Sequence, residues 1–586
     1  MIRENRAREA GEMSRAMTRE RFGWFADWRA HLAAGRARPA KGFVSQPEPR
    51  SLGTYARGKQ IMSGNIHLGG TLIEAPGVCL WDIPAPDPDF SADAQGFAWL
   101  EDLAAYDTAE ARRQAQAWTA AWISRFGKGR GPGWSPDLTG RRIIRWVHNA
   151  TFLLAGCSKA ETEAFYASLA HQSAFLARRW KAAGPGRPRI EALTGLVYAG
   201  LSLVGFQGLI APSAAALAQA CQNEVDDEGG IATRNPQELL EVLTLLNWAA
   251  SALTDAGMAV PKDLYSAITR IAPGLRTLRH ADGGLARFHG GDRGEEGRLD
   301  QALAASGVRR GMPPQMAMGF ARLAGGRTTV ILDAAAPPGN RAAAEAHAST
   351  GAFELTSGRR PLIVSCGAGS GFDQSWRLAA RATQSHSVLA MAGQSSSSFG
   401  KTGFALNRIA SVSEANVIHG TDGTDATVAH DGWLASHGLT TRRILTLSHD
   451  GRRLSGVDAL TADTPDAQRA FQDLMMATAM EGAAFAVHFH LHPDVDATLD
   501  MAGTAVSLAL RSGEIWILRH SGPLTVALEP SFYLEKSRLN PRPCKQVVLR
   551  GHARSFDTRI GWTLAKAKDT PLAIRDLDFD DPDNLA

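Results

Sequence analysis

Apolar residues recur at three- and four-residue steps over residues 95–275, which is the spacing of one helical face. In FAWLEDLAAYDTAEARRQAQAWTAAWISRFG this spacing places the following residues together: Phe97, Leu100, Leu103, Ala104, Trp118 and Trp122. Similar segments follow after glycine, proline or short polar breaks: GRRIIRWVHNATFLLAG, EAFYASLAHQSAFLARRWKAA, ALTGLVYAGLSLVG and NPQELLEVLTLLNWAASALTDAG. The pattern predicts helical hairpins in series, which build a solenoid or a closed ring. No fixed repeat period is visible, which disfavours a regular solenoid.

The pattern changes after one more predicted helix at about residues 299–307. Short alternating runs bounded by glycine, aspartate and proline then follow, among them TTVILDA, AFELTSG, PLIVSCG, RRLSGVDAL, EIWILRHSG and KQVVLRG. Runs of this length and spacing predict an antiparallel β-sandwich or a similar two-sheet stack. The fold class predicted is therefore multidomain, α first and then β.

Composition narrows the class of protein without identifying it. Of 586 residues, 44% are hydrophobic and 21% are charged, which is ordinary for a folded globular protein. The net charge of +4 is too small to indicate a nucleic-acid partner. The five cysteines are scattered singly, which argues against a disulfide framework. Most of the 14 tryptophans are expected in the core.

The amino-terminal segment MIRENRAREAGEMSRAMTRERFGWFADWRAHLAAGRARPAKGF is rich in arginine. It contains no apolar stretch of signal-peptide length. No later segment approaches the length of uncharged apolar residues that a membrane span needs. On the sequence alone we predict no signal peptide, no membrane span and a cytoplasmic location.

Ordered landmarks lie between about residues 60 and 570: WLEDLAA, GRRIIRWVHNATFLL, EALTGLVYAGL, DDEGGIATRNPQELLEVL, LRHADGGLARFHGG, SHSVLAM, VHFHLHPDV and EPSFYL. In this order they resemble the bacterial heparinase II/III-like proteins, which are polysaccharide lyase relatives. The resemblance implies an incomplete α/α toroid, a C-terminal β-sandwich, a cleft between them, and a periplasmic or cell-envelope location. The boundaries expected are an Arg-rich extension, partly disordered or helical, at 1–60, the toroid at 61–320, the sandwich at 321–575 and a tail at 576–586.

Enzymes of this family cleave uronate-containing glycans by β-elimination, so the resemblance implies an anionic polysaccharide as substrate. The hydrogen at C5 lies next to a carboxylate and is barely acidic. The site must mask the carboxylate charge, hold a base near C5 and place an acid near the leaving oxygen. An Asn, Arg or His suits the first task, and a His or Tyr suits the others.

The segment TRNP offers Arg234 and Asn235 directly before a predicted helix. A guanidinium can bind a carboxylate with two hydrogen bonds and an amide can donate to it, so both are candidates for masking the uronate. The alternative is that Asn235 caps the helix, and the two roles are compatible.

RHADGGLARFHGG supplies four further candidates on either side of a glycine pair. His289 is a candidate base or acid with His280 in support, while Arg279 and Asp282 are candidates for binding substrate. The alternative for the segment from Asp282 to Gly284 is a plain turn.

His386 falls where the resembling lyases carry a catalytic histidine, at the start of a sandwich strand, with Arg381 upstream as a substrate-binding candidate. The resemblance implies that His386 acts as the base, or masks the uronate beside Asn235. The alternative is a structural histidine hydrogen-bonded in a turn.

Three histidines alternate in VHFHLHP, so His488, His490 and His492 share one strand face. Alternate residues stand too far apart for all three to bind one ion unaided, and Val388 holds the place of a metal-binding histidine of some relatives. We therefore expect no metal or other cofactor. The strand face is expected either to meet the sugar, with His490 as a substrate-binding residue, or to be plainly packed. The alternative is a metal-dependent hydrolase that uses the strand histidines, and its activity would be sensitive to chelators.

Two departures from the family pattern bear on activity. Ile231 stands where a histidine often follows the paired glycines, and Phe288 and His289 stand where the lyases carry a tyrosine. The nearest tyrosine, Tyr265, is expected in a helical core. The predicted function is a polysaccharide lyase acting on an anionic glycan. The alternative is a non-catalytic glycan-binding or cell-envelope protein that retains the lyase fold.

Overall fold

A computed structural model describes residues 23–45, 49–51, 53–309, 311, 313–400, 405–536 and 538–567. The chain forms two compact units, one of residues 1–224 with 244–267 and one of residues 225–243 with 268–586. Residues 1–22 of the predicted extension and the whole predicted tail lie outside the described residues. The boundaries at 60, 320 and 575 stay predictions.

The first half of the chain is helical, in agreement with the apolar spacing. Its helices are α1 (residues 23–34), α2 (Tyr55–Met62), α3 (Pro88–Gln95), α4 (Ala98–Tyr106), α5 (Ala109–Phe126), α6 (Pro136–His148), α7 (Ala150–Leu154), α8 (Lys159–Arg179), α9 (Arg187–Ser202), α10 (Ile210–Glu224), α11 (Pro236–Asp255), α12 (Lys262–Thr277) and α13 (Arg298–Ala305). Among the described helices, none has the length and apolar character that crossing a bilayer requires.

Sequence features fix where several helices begin. Thr108 accepts a hydrogen bond from the Ala111 backbone at the start of α5. Ser158 and Glu161 form a reciprocal capping box at the start of α8. Each pairing satisfies backbone N–H groups that the helix itself leaves without a partner.

Aromatic side chains form the core of the first unit. Trp99, Trp122 and Trp146 are each completely buried, and so is Phe97. The predicted apolar face is confirmed at Leu100, Leu103 and Trp118, which are buried too, while Ala104 is half-buried. These tryptophans therefore fill the interior of the first unit.

Helices α6 and α9 approach closely because a glycine lies on each. A Cβ placed on Gly195 would lie 2.5 Å from the Cα of Gly140, which no real contact allows. Backbone therefore packs on backbone at this crossing.

A β-hairpin that the periodicity did not predict lies within the helical half. Strands β1 (Asn65–Leu68) and β2 (Thr71–Glu74) pair antiparallel around Gly69 and Gly70. Both glycines have positive φ, 58° and 87°, which a two-residue hairpin turn of this hand requires.

The second half of the chain is built from strands. They are β3 (Met316–Ala317), β4 (Phe320–Gly325), β5 (Thr328–Asp333), β6 (Phe353–Ser357), β7 (Arg360–Val364), β8 (Leu389–Met391), β9 (Ser398–Phe399), β10 (Leu406–Arg408), β11 (Val412–His419), β12 (Gly423–His430), β13 (Thr440–Ser448), β14 (Arg453–Thr461), β15 (Ala483–Leu491), β16 (Asp496–Asp500), β17 (Ala505–Ala509), β18 (Ile515–His520), β19 (Thr525–Tyr533), β20 (Arg542–Ala553) and β21 (Asp557–Lys566). Short helices α14 (Gln374–Ala379), α15 (Leu434–His437) and α16 (Pro465–Ala477) interrupt them.

Two large antiparallel sheets make up the sandwich. One has the order β11-β12-β13-β14-β21-β18-β17-β16, and the other has β19-β20-β15-β7-β6-β5-β4-β3 with β8 on β15. Apolar side chains from both sheets form one buried cluster, including Leu323, Phe353, Leu445, Phe489 and Trp562. The predicted order of a helical region followed by antiparallel sheets is confirmed.

Candidate functional site

All the site residues predicted from the sequence belong to the second unit. The loop before α11 carries Arg234 and Asn235, and the loop between α12 and α13 carries the candidates at positions 279–289. His386 follows a short 3-10 turn at Thr383–Ser385 and precedes β8. The fold thus brings segments distant in sequence to one place.

Arg234 is bound entirely within the protein. Its Nη2 donates to Asp333 Oδ1 at 2.5 Å, and its other donors reach the carbonyl oxygens of Met318, Gly319 and Ala336 at 2.8 to 3.2 Å. The backbone of Arg234 has a positive φ of 51°. The guanidinium therefore anchors the loop before α11 onto the β4–β5 region.

His289 lies beside this ion pair and is 1% exposed. Its Nδ1 accepts a hydrogen bond from the His347 backbone N–H at 3.2 Å, and its Nε2 lies 3.3 Å from Nη1 of Arg234. Nε2 lies 3.5 Å from Asp333 Oδ2, an oxygen that also accepts from Ser349 Oγ at 2.7 Å. Asp333 thus holds the guanidinium of Arg234 and the ring of His289 together.

His347 and His386 continue a directed hydrogen-bond chain. The Gly290 backbone N–H donates to His347 Nε2 at 3.2 Å, which places the His347 proton on Nδ1. That Nδ1 lies 3.2 Å from His386 Nε2, and His386 Nδ1 lies 3.0 Å from Ser365 Oγ. The donors therefore run in one direction from Gly290 to Ser365. We name His289, His347 and His386 the buried histidine chain.

Electrostatics keep the buried histidine chain neutral. Burial, with positive charge from Arg234 nearby, lowers the pKa of His289 well below 6.5. Burial and the neighbouring His386 lower the pKa of His347 in the same way. Burial and His490 lower the pKa of His386 from 6.5 to about 3. A charged imidazole would lose its hydration here without gaining a full counter-ion.

Asn235 caps helix α11, which is the structural alternative anticipated for it. Its Oδ1 accepts from the backbone N–H groups of Gln237 at 2.9 Å and Glu238 at 3.1 Å. A Cβ on Gly291 would lie 2.6 Å from this oxygen, so only glycine fits beside it. Within the described part of the chain, Asn235 Nδ2 has no hydrogen-bond partner.

His280 lies apart from the buried histidine chain and pairs with Glu354. The distance from Nε2 to Glu354 Oε2 is 3.3 Å, and the same oxygen accepts from the Arg287 backbone at 3.0 Å. Burial acts to raise the pKa of Glu354, but the His280 hydrogen bond and the Arg287 charge outweigh it and lower that pKa. The Nδ1 atom of His280 is buried and has no partner in the described structure.

The predicted substrate-binding residues each have a partner within the protein. Arg279 forms a bidentate ion pair with Asp300 at 2.7 and 2.9 Å. Asp282 accepts from the Gly284 backbone at 2.9 Å, as a turn residue does, and pairs with Arg293 at 2.9 Å. These contacts stabilise the loop between α12 and α13.

Arg381 is completely buried below the segment that carries His386. Its Nε and Nη2 donate to the carbonyl oxygens of Ala346 and Ala343 at 2.8 and 2.9 Å. Burial lowers the pKa of Arg381 to about 10. The side chain therefore holds residues 343–346 in place beside His347.

The strand histidines of β15 separate into individual partners. His490 Nε2 donates to the Gln384 carbonyl oxygen at 2.8 Å, and its Nδ1 lies 2.8 Å from Ser531 Oγ. His488 Nδ1 lies 3.0 Å from Gln546 Oε1. Across the residues that the structure describes, no cluster of three His, Cys, Asp or Glu side chains has the geometry of a metal site. The expectation of no cofactor stays a prediction.

Sequence reasoning missed several residues of this region. Asp333 ends a buried strand, and His347 and Ser365 lie in loops with no spacing that indicates a site. Tyr533 arrives on β19, where its buried ring lies 4.0 Å from the Arg287 guanidinium, and burial raises its pKa. Tyr265, expected in a core, is instead 58% exposed. That expectation was wrong because the outer face of α12 meets solvent.

A helical region followed by an antiparallel two-sheet sandwich, with this histidine-rich region in the second unit, defines the class of the polysaccharide lyase fold. Heparinase III has a TM-score of 0.64 at 13% identity, covering 89% of this chain and 85% of that one. A mutant of heparan sulfate lyase HepC from Pedobacter heparinus has a TM-score of 0.57 at 13% identity, covering 93% and 88%. These likenesses show the fold.

Sequence comparison identifies the family. Residues 308–563 match the family described as Heparinase II/III-like, C-terminal. The chain is 31% identical over 580 residues to FtsZ-localized protein C of Caulobacter vibrioides, covering 96% of each. The chain belongs to the heparinase II/III-like family, as the ordered landmarks predicted.

Proposed function

We propose that this chain is a non-catalytic protein that retains the lyase fold and associates with FtsZ. The observation that carries the proposal is the buried histidine chain, whose rings are at most 1% exposed and hydrogen-bonded within the protein. A general base must reach the proton it removes and bind it near the working pH. Neutral, enclosed imidazoles with strongly lowered pKa values support a structural role instead.

Arg234 supports the same proposal. Masking a uronate requires a guanidinium with donors to spare, but this one already serves Asp333 and three carbonyl groups. Releasing it would leave Asp333, which is completely buried, without its counter-ion. Leaving a buried charge without its partner lowers the free energy of unfolding by about 3 to 5 kcal/mol.

The association with FtsZ is proposed from the full-length relative. Identity of 31% that extends over 96% of both chains includes both units and not the sandwich alone. The FtsZ-localized protein C is therefore similar to this chain throughout, and we propose the same partner. We propose a location with FtsZ, while the periplasmic location that the family resemblance implied stays a prediction.

Sedimentation tests the proposal directly. Purified chain is centrifuged with and without assembled FtsZ, with FtsZ held below assembly as the control. We expect the chain to pellet with assembled FtsZ and to leave uronate polymers uncleaved. No pelleting with FtsZ, together with cleavage of any uronate polymer, would overturn the proposal.

A second candidate function, polysaccharide lyase activity, is favoured by one observation. Asn235 Nδ2 has no partner among the described residues, so this amide is able to donate to a carboxylate. In that role Asn235 and Arg234 would mask the uronate, with His386 and His289 as base and acid and His280 in support. Arg279, Asp282, Arg381 and His490 would then bind or position the sugar.

One substitution separates the amide of Asn235 from its capping role. Serine is a good helix cap, so Asn235→Ser keeps α11 capped while removing the amide. If the lyase activity exists, this change should lower it by roughly 100-fold or more, as loss of one charge-stabilising donor does. The readout is the ultraviolet absorbance of the unsaturated uronate product on a panel of uronate polymers. No absorbance with the unchanged protein would end the lyase candidate.

A further inference from the structure

Helix α1 presents its large apolar side chains to solvent. Trp24 is 69% exposed, Phe25 and Trp28 are each 48% exposed, and Leu32 is 44% exposed. At roughly 3.6 residues per turn these four positions fall within an arc of about 100°. They form one continuous apolar stripe, which we name the α1 stripe.

The opposite face of α1 is anchored on helix α8 within the first unit. Asp27 pairs with Arg179 at 2.5 Å, and the His31 ring stacks on Phe175 with 4.2 Å between ring centroids. Ala30 and Ala34 on this face are almost completely buried. Small and polar residues thus face inward while the aromatic residues face outward, which is the reverse of a surface helix.

Positive charge borders the α1 stripe. Arg29, Arg36, Arg38 and Lys41 are all exposed, and residues 28–45 contain no acidic residue. The Arg29 guanidinium lies 5.9 Å from the centre of the Phe25 ring, and that ring stacks on Trp28. Asp27, the one acidic residue of α1, is already paired with Arg179.

We propose that the α1 stripe binds the surface of an anionic lipid bilayer. Tryptophan and phenylalanine rings on one face with arginine and lysine beside them are the composition of helices that lie in the plane of a membrane interface. Rings enter the headgroup boundary while the basic groups bind lipid phosphates, and arginine stems extend along the apolar surface to do so. This proposal does not depend on the association with FtsZ and has its own test.

The charge pattern favours lipid over a second copy of the chain. Two copies meeting through this stripe would bring Arg29, Arg36, Arg38 and Lys41 of each close together, with no acidic residue among positions 28–45 to offset them. An anionic bilayer instead matches the positive border with a continuous negative surface.

Flotation of the full chain with lipid vesicles tests the proposal. Vesicles of phosphatidylcholine with phosphatidylglycerol are compared with vesicles of phosphatidylcholine alone. We expect the chain to float with the anionic vesicles only, and less at high salt, because salt screens the attraction between exposed charges. Failure to float with the anionic vesicles would overturn the proposal.

Two variants assign the binding to α1. The combined change Trp24→Ala, Phe25→Ala and Trp28→Ala should lower the fraction of protein bound to vesicles by roughly tenfold or more. The reason is that it removes most of the apolar surface that would enter the bilayer. The pair Arg36→Gln and Arg38→Gln should lower it roughly tenfold on anionic vesicles. Tyr265→Ala removes an equally exposed aromatic side chain from α12 and serves as the matched control.

The remaining outcomes also decide the question. Circular dichroism first establishes that each variant is folded, which is expected because every changed side chain is exposed. Equal flotation of the aromatic variant and the Tyr265→Ala control would overturn the assignment to α1. A dimer by light scattering that only the aromatic variant abolishes, or pelleting with FtsZ that it alone loses, would make the stripe a protein interface and also overturn it.

Discussion

Two backbone N–H groups decide the protonation pattern of the buried histidine chain. The amide of Gly290 donates to His347 and the amide of His347 donates to His289, so each receiving nitrogen must be free of a proton. Backbone amides do not change their protonation, so the fold fixes which nitrogen of each of these two rings accepts. The histidines link the loop between α12 and α13 to the segment that precedes β8.

A pH dependence of stability follows for His386. Its pKa is lowered from 6.5 to about 3 in the folded chain, so between these values the unfolded chain binds a proton that the folded chain does not. The free energy of unfolding therefore falls as pH falls below 6.5, by more than about 1 kcal/mol per pH unit for each such histidine.

Urea unfolding between pH 7 and pH 5 measures this effect. The variant His386→Gln should show a shallower loss of stability with falling pH, whatever its stability at pH 7. His419→Gln changes an exposed histidine of β11 and is the control. An unchanged pH slope in His386→Gln would contradict the neutral, buried state.

At the scale of elements, side-chain periodicity predicted the type and the order of the helices and strands. Glycine, proline and polar turn residues indicated where these elements end. Helices α4, α5 and α13 and strands β5, β6 and β14 lie where the apolar spacing indicated. The hairpin β1–β2 was missed although NIHLGGTLIE carries a two-glycine turn between apolar runs. Helix α16 was missed although Thr464 caps it and Pro465 opens it, which are start signals that the sequence carries.

The crossing of α6 and α9 gives a prediction for one glycine. Gly195→Ala would place a methyl group 2.5 Å from the Gly140 Cα, and backbone cannot shift cheaply. We expect the free energy of unfolding to fall by about 1 to 3 kcal/mol, the usual cost of overpacking.

Gly208→Ala is the matched control for Gly195→Ala. No atom lies within 4 Å of a Cβ at Gly208, and its φ is not positive. Chemical denaturation of both variants should leave Gly208→Ala within about 0.5 kcal/mol of the original protein. Equal losses in the two variants would show that the crossing is not as tight as described.

At the scale of the whole molecule, one buried arginine joins the two sheets of the sandwich. Arg443 on β13 pairs with Asp458 on β14 at 2.6 and 3.0 Å and donates to the carbonyl oxygens of Gly351 and Ser387, which precede strands of the other sheet. Arg443→Met would leave Asp458 buried without its counter-ion. The expected loss is about 3 to 5 kcal/mol of unfolding free energy.

The adjacent residue provides the control for that substitution. Arg442 points outward from β13 and pairs with Glu414 at the surface, where such pairs contribute little. Arg442→Met should change stability by less than about 1 kcal/mol, measured by denaturant unfolding. Similar effects of the two changes would contradict the sheet-joining role of Arg443.

The sequence by itself determined the class of fold, the order of its two halves and the family. Apolar residues recur along the chain about every 3.6 residues in helices and every 2 residues in strands. This period decides which face of each helix or strand is buried. The landmark segments identified the family, because they follow one another along this chain in the order that the family shows. The capping role of Asn235 and the turn at Asp282 were also anticipated, since both depend on backbone groups within a few residues.

Only the tertiary structure decided the surroundings of the candidate site. Asp333, His347 and Ser365 are separated along the chain from Arg234, His289 and His386, and no local pattern joins them. Burial and partners then set the charge of each imidazole, and neither property is encoded at the residue itself. The exposure of the aromatic face of α1 was also decided by the tertiary structure. The spacing of these residues is that of any amphipathic helix, and only the packing of α1 on α8 shows which side meets solvent.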